Sequence, residues 1–383
     1  MHKVNIAILA LFLGNMPIAG MEKEADICAL VSHNRQNIFK AVQESIEQGK
    51  FINIDAFVFT NREILESIRK AKENGAYIEV NVGSFSQNKG FIAQLREMGI
   101  QVTQVPHLHM KRILISEKDP RLGSPGKTTT FMGSSNLTYF AHQNFEAATT
   151  TQDATDYFMQ QFENHQSLAN MKTPEKKKEK LHVAETPCGL QLFTSRSYRL
   201  SESKALRIDK LARSKQQKRV LYISSMNWNT PAVTRALINA HEQRVEIKVI
   251  VNGSALRGGN EQLNELAAAG VPVFVFDPEG LKRAIQHSKL LLRFDGDDTL
   301  VINSTANLTS QGDQEFNVDE YSTNPQVAQH FKEAFDDYIE HHCVPYKHQQ
   351  LSTKPYQPAR KRLIFDTSDE QEQPTKKRRV QKK

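Results

Sequence analysis

The chain repeats itself at long range, and this repeat limits the folds open to it. ILESIRKAKENGAYIEVNV (64–82) reads as an amphipathic helix, an Asn-Gly turn and a strand; TRALINAHEQRVEIKVIV (234–251) reads the same way. A strand precedes each, FINIDAFVF (51–59) and RVLYISSMNW (219–228). A second helix and a Gly-led strand follow each, LREMGIQVTQV (95–105) and LAAAGVPVFVF (266–276). Gly99 and Gly270 are 171 residues apart, and so are Asn136 and Asn307. Strands alternating with helices predict an α/β protein. Made twice within 383 residues, the pattern predicts two homologous halves.

Each half continues with a strand whose entrance is polar. In VPHLHMKRILI (105–115), His107, His109 and Lys111 are two apart, which puts them on one face of a strand about to be buried. In QHSKLLLRF (286–294), His287 and Lys289 reproduce His109 and Lys111. Ile285 stands where His107 would, so His107 is expected beside the site and not in it. A loop, a second strand and a small-residue turn follow: FMGSSNLT (131–138) and VINSTANLT (301–309). Ten residues after each asparagine comes NFE (144–146) or EFN (315–317). His109 to Asn136 is 27 residues and His287 to Asn307 is 20; the extra length lies in EKDPRLGSPGKTTT (117–130). That segment predicts a long hairpin loop at the end away from the histidine.

Two His-Lys-Asn sets define a chemistry if they converge. A histidine can be nucleophile or base in one copy and acid in the other near neutral pH. Lys111, Lys289, Asn136 and Asn307 offer donors for the non-bridging oxygens of a phosphate. No dense Asp/Glu cluster accompanies them, so neither a metal nor any other cofactor is expected. Metal-independent attack on a phosphodiester is the reaction these residues suit.

These residues resemble the phospholipase D superfamily, with its duplicated His-x-Lys signature, over roughly residues 30–345. The resemblance implies two mixed sheets flanked by helices, packed about a pseudo-two-fold axis with the site in the seam. It implies one histidine attacking phosphorus to form a phosphohistidine while the other protonates the leaving oxygen and then activates water. Carried over, His109 and His287 are the pair, and Lys111, Asn136, Lys289 and Asn307 bind phosphate. Glu146 is expected to accept from the other ring nitrogen of His109, with neutral Asn317 in the matching place of the second copy. That favours His109 as nucleophile and His287 as acid and base. Glu315 and Ser134 are expected to support the site, Glu315 as a substitute carboxylate. Ser116 and Phe294 stand where the family signature carries aspartates, and Ser304 stands where the first copy has Gly133.

The superfamily includes phospholipid hydrolases, transphosphatidylases and nucleases. A phospholipid head group is the first expectation here. A DNA or RNA endonuclease is the alternative, and a degenerate phosphate-binding module the third reading. One chain carries both sets, so a monomer suffices for one site.

The ends carry addresses. MHKVNIAILALFLGNMPIAGM has a basic start, an apolar run from Ile6 to Gly14, and small residues Ala19 and Gly20, the layout of a signal peptide over 1–20. The two halves are then expected at 21–165 and 189–345, joined by a charged linker over 166–188, with a basic tail over 346–383. The net charge of +7 belongs to that tail: Lys347 to Lys383 hold 11 Lys+Arg and 4 Asp+Glu, leaving the body neutral. Arg360-Lys361-Arg362 and Lys376-Lys377-Arg378-Arg379 resemble a bipartite nuclear import signal, whose partner would be an import receptor. A tether to nucleic acid or to a membrane surface is the other reading. Export to the periplasm or medium is expected, with the nucleus of a host cell as the alternative. Three separated cysteines, Cys28, Cys188 and Cys343, predict neither a zinc site nor a disulfide framework.

Overall fold

A computed structural model describes residues 26–32, 38–138, 146–170, 191–194, 199–256, 260–276 and 285–347. The expected leader, Cys188, most of the expected linker and nearly all of the tail lie outside the described residues. The first half runs β1 (Asp26–Ser32), α1 (Ile38–Gln48), β2 (Phe51–Ala56), α2 (Arg62–Glu73), β3 (Tyr77–Gly83), α3 (Lys89–Glu97), β4 (Gln101–Val105), β5 (Lys111–Ser116), β6 (Thr128–Gly133), β7 (Glu146–Gln152) and α4 (Thr155–Asn170). The second runs β8 (Gln191–Thr194), α5 (Leu200–Ala212), β9 (Arg219–Ser225), α6 (Pro231–Glu242), β10 (Glu246–Asn252), α7 (Glu261–Ala268), β11 (Val273–Phe276), β12 (Leu290–Asp295), β13 (Asp298–Ser304), β14 (Val318–Ser322), α8 (Pro325–His342) and β15 (Cys343–Pro345).

The two sheets have the same plan. One is ordered β1-β7-β6-β5-β2-β3-β4; the other β8-β14-β13-β12-β9-β10-β11, with β15 added at the β11 edge. β2, β3 and β4 are parallel, as are β9, β10 and β11, so each successive pair needs a helical crossover. The remaining pairs are antiparallel, and each sheet is mixed.

Local sequence explains the crossovers. Asn61 caps α2, its side chain accepting from the backbone N–H groups of Glu63 (2.9 Å) and Ile64 (3.1 Å). Gly99 and Gly270 end α3 and α7 at φ 70° and 81°, where a glycine avoids the Cβ penalty. Ile52, Ile54 and Ala56 alternate into a core with Ile64, Leu65 and Ile68; Leu221 and Ile223 do the same against Leu237 and Leu263.

The opposite face of the first sheet is polar and lies under α4. Asp55 on β2 accepts from Arg112 Nε (2.8 Å) and Asn81 Nδ2 (2.9 Å), and His165 Nδ1 lies 2.9 Å from it. This corrects the expected linker start at 166. α4 continues to Asn170, because Leu168 is buried with Tyr157, Met110 and Val318 and Gln166 donates to Glu79 (2.7 Å).

The sheets meet along a pseudo-two-fold axis. Thr149 donates to Glu320, and Asn303 Nδ2 donates to the carbonyl of Met132 (3.0 Å). Each of these pairs is 171 residues apart, so each joins a residue to its own counterpart in the other half. Self-contacts of this kind occur only close to a two-fold axis.

Candidate active site

The β5 and β12 strands start at the carboxyl ends of β2 and β9, with Lys111 opposite Ala56 and Leu290 opposite Ser224. Their entrances therefore open on the end where the parallel strands stop. His109 and His287 just precede these strands and are buried, as are Lys111 and Lys289. Asn136 and Asn307, on the turns after β6 and β13, are half-buried. The long loop at 117–127 is at the far end, as expected from its antiparallel hairpin. His107 departs from the strand reading: at φ 59° it sits in a turn, exposed, while only His109 and Lys111 alternate inward.

The histidines take their partners from the opposite half, which corrects the expected pairing of Glu146 with His109. His287 Nδ1 lies 2.9 Å from Glu146, and His109 Nδ1 lies 2.8 Å from Asn317 Oδ1. The cause is the axis. β7 and β14 meet across it, so Glu146, which opens β7, and Asn317, which just precedes β14, each reach the other half's histidine. The two arrangements match in detail. Ser134 Oγ donates to Glu146 (2.5 Å), and Thr305 Oγ1 donates to Asn317 Oδ1 (2.9 Å). His109 is held further by its backbone: its N–H donates to Phe316 O (3.0 Å), and Phe316 N–H donates to His107 O (2.9 Å).

Asn317 also sets a tautomer. Its Nδ2 donates to Gly312 O (2.9 Å), so its Oδ1 faces His109 and favours a proton on Nδ1, although Lys111 Nζ also lies 3.2 Å from that nitrogen. His109 Nε2 then carries the lone pair. Glu315 lies 3.8 Å from His109 Nδ1, close enough to favour a charge there without taking the hydrogen bond.

Charge in the site is finely unbalanced. Burial, then the Lys111 and Lys289 ammonium groups, hold His109 well below the usual imidazole value. Burial also lowers His287, but Glu146 works against that shift. Burial would raise Glu146; His287 and Lys289 outweigh it, and the carboxylate stays ionised. Burial brings Lys289 down to about 8, and burial plus repulsion from Lys289 takes Lys111 well below its ordinary value. Glu146 and Glu315 work against both lysine shifts without cancelling them, so a further anion between the ammonium groups is favoured. Among the described residues, Asn136 Oδ1 and Asn307 Oδ1 are buried without a hydrogen-bond partner; that spare capacity is an acceptor's, and the Nδ2 groups are the donors suited to phosphate oxygens.

Ser116 and Phe294 lie at the far ends of β5 and β12. Ser116 donates to Lys118 O (2.9 Å), and Phe294 packs on Tyr222 at 6.5 Å. Neither replacement touches the histidines. Ser304, in the place of Gly133, donates to Asp319, which pairs with buried Lys204. Sequence reasoning missed that pair and the Asp55–Arg112–His165 cluster, because neither repeats in the other half. Among the described residues, no three His, Cys, Asp or Glu side chains group as metal ligands, and no helix is long and apolar enough to cross a membrane.

A duplicated mixed sheet with a histidine pair on its axis defines the class: a two-half phosphotransfer or phosphodiesterase fold. A family model described as "Cardiolipin synthase, PLD-like domain" matches residues 27–167 and 208–339, and the chain belongs to that family of the phospholipase D superfamily. No curated protein matches the chain by sequence. Among solved structures, a polyphosphate kinase from Porphyromonas gingivalis aligns at TM-score 0.56 and 16% identity, over 86% of this chain and 53% of the kinase. This chain thus spans about half the kinase's length. A phosphatidylserine synthase from Haemophilus influenzae aligns at TM-score 0.53 and 13% identity, over 87% and 90%. Nuc from Salmonella typhimurium, a phospholipase D family member, aligns at 0.34 and 18%, over 41% and 97%. At these identities the likenesses concern the fold.

Proposed function

We propose that this chain hydrolyses a phosphodiester through a phosphohistidine on His109, with His287 as acid and then base. The observation that carries this reading is the cross-half lock on the two Nδ1 atoms. It leaves His109 neutral with a free Nε2 lone pair and places the proton-retaining carboxylate, Glu146, behind His287. His109 therefore keeps the nucleophile's role, for the opposite reason to the one its sequence neighbours suggested. A nucleophile must start unprotonated and an acid must start protonated; the neutral amide suits the first need, and the carboxylate offsets part of the burial that lowers His287.

In the first step His109 Nε2 bonds to phosphorus, the P–O bond to the leaving alcohol breaks, and His287 gives that oxygen its proton. In the second, His287 takes a proton from water, the hydroxide bonds to phosphorus, and the P–N bond breaks. The products are an alcohol and a phosphomonoester. Lys111, Lys289, Asn136 and Asn307 hold the non-bridging oxygens, and the phosphate charge stabilises the ammonium form of the lysines against their burial. Glu315 stabilises the imidazolium character that His109 gains during attack.

A neutral body and an exportable leader support a phospholipid as substrate; a basic tail supports a nucleic acid. A soluble p-nitrophenyl phosphodiester, phosphatidylcholine and cardiolipin vesicles, and single-stranded DNA, assayed in parallel, test the chemistry. His109→Ala and His287→Ala should each lower turnover by at least about 10³-fold. Excess chelator should leave it unchanged, since the lysines and amides already supply the donors a metal would. Loss of activity in chelator, restored by a divalent metal, or near-normal turnover in either variant, would remove the mechanism.

A further inference from the structure

We propose that Phe57 and Phe85 form an aromatic shelf beside His109 that takes a nucleobase of the substrate. This rests on the phosphodiesterase reading and names a substrate class for it. The Phe57 ring stands edge-on to the His109 ring at 4.5 Å and 60°, and the Phe85 ring stands edge-on to Phe57 at 4.5 Å and 75°. Lys111 Nζ lies 5.0 Å from the Phe57 centroid. The shelf thus runs from the His109 ring through Phe57 to the outside, where Phe85 is 44% exposed. A base attached through one sugar to the scissile phosphate needs a flat surface at that reach.

The shelf is built rather than incidental. Asn88 is fully buried and ties its two loops together: its Nδ2 donates to Phe57 O (3.1 Å) and Gly83 O (2.7 Å), and its Oδ1 accepts from Phe59 N–H (2.9 Å). The loops approach so closely that a Cβ on Gly83 would lie 2.6 Å from Phe57 O. Strand register places Met226 and Ser254 at the matching positions of the second half. The shelf therefore exists on the His109 side alone, away from the acid that serves the leaving group. It suits the part of the substrate retained on phosphorus in the phosphohistidine.

A base fits this surface better than a lipid leaflet does. Interfacial insertion needs a contiguous apolar patch. Among the described residues, the other exposed large hydrophobic side chains are Leu122, Leu206 and Val344. They lie on the far loop, on α5 and on β15, not around Phe85. A single exposed ring beside a phosphate site is how sequence-tolerant stacking on single strands is achieved.

Two esters with the same leaving group test the shelf: p-nitrophenyl thymidylate and methyl p-nitrophenyl phosphate. Wild type should prefer the thymidylate in kcat/KM. Phe85→Ala should cut that preference about ten-fold, Phe85→Leu should resemble it, and Phe85→Trp should retain the preference. Phe85 is exposed, so these variants should fold. A preference that survives Phe85→Leu, or none in wild type, overturns the shelf. So does loss of binding to phosphatidylcholine–cardiolipin vesicles in Phe85→Ala with the thymidylate preference intact, which would make Phe85 a membrane contact. If wild type turns over neither ester, the phosphodiesterase reading fails separately. Fluorescence anisotropy of labelled oligothymidylate then decides the shelf: weaker binding by Phe85→Ala supports it, and equal binding overturns it.

Discussion

Burial pulls both histidines below the ordinary imidazole value of 6.5, but not equally. His109, facing a neutral amide and two ammonium groups, falls further than His287, which has Glu146 behind it. The active form needs His109 neutral and His287 protonated. Rate therefore falls as pH drops through the His109 value and as pH rises through the His287 value. Both limbs of kcat/KM for the free enzyme should lie on the acid side of 6.5. Glu146→Gln removes the charge that raises His287, so the alkaline limb should move to lower pH while the acid limb stays. Turnover at neutral pH should fall by about 10²-fold. A pH profile on a soluble p-nitrophenyl diester checks this; an unmoved alkaline limb would mean Glu146 does not support His287.

At the scale of elements, α4 shows how one half came to differ from the other. Where β9 and β12 carry Ser224 and Leu290, the first sheet has Asp55 and Arg112 buried beneath His165. Burial would raise the Asp55 carboxyl, but the Arg112 and His165 charges outweigh it and hold it well below the ordinary range. Asp55→Asn leaves a buried guanidinium without its counter-charge and should cost about 3–5 kcal/mol in urea unfolding. The sign with pH follows from linkage. A depressed carboxyl stabilises the fold above its unfolded value of about 4, and that stability is lost as pH falls toward the folded value. Wild type and Asp55→Asn should therefore converge in acid. Curves that stay parallel would place the stability of α4 in its apolar contacts instead.

For the whole molecule, the symmetry makes each half incomplete. Each histidine's Nδ1 partner comes from the other half, so one chain builds one site. The C-terminal strand adds direction. β15 runs antiparallel to β11, with Cys343 beside Phe276 and Pro345 beside Phe274, so the chain leaves at the pole opposite the histidines. We propose that the basic tail beyond it is an address, and that the N-terminal leader is an export signal. The two fit together in a protein that leaves one cell and enters the nucleus of another. Truncation after Lys347 should leave turnover of a small diester within about two-fold, since the described site lies wholly before it. It should abolish nuclear accumulation of a fluorescent fusion in eukaryotic cells. A fusion still nuclear without the tail would discard the address; a truncation that instead weakens polymer or vesicle binding with steep salt dependence would make the tail a tether.

The duplication was legible in the chain because it is a matter of order. Helix and strand periods, Gly99 with Gly270, and His109-x-Lys111 with His287-x-Lys289 are all local patterns that recur at a fixed offset. They determine two like halves of alternating strands and helices and the residue types of the site; the mixed sheets were implied by the family resemblance. Which half completes which histidine was not legible. Neighbours in sequence suggested Glu146 for His109, but a two-fold axis exchanges partners, and Glu146 serves His287 while Asn317 serves His109. The Asp55 cluster and the Phe57–Phe85 shelf stayed hidden for the same physical reason. Their members come from strands and loops far apart in the chain, occur in one half only, and acquire their charge states and exposure from burial that tertiary packing alone decides.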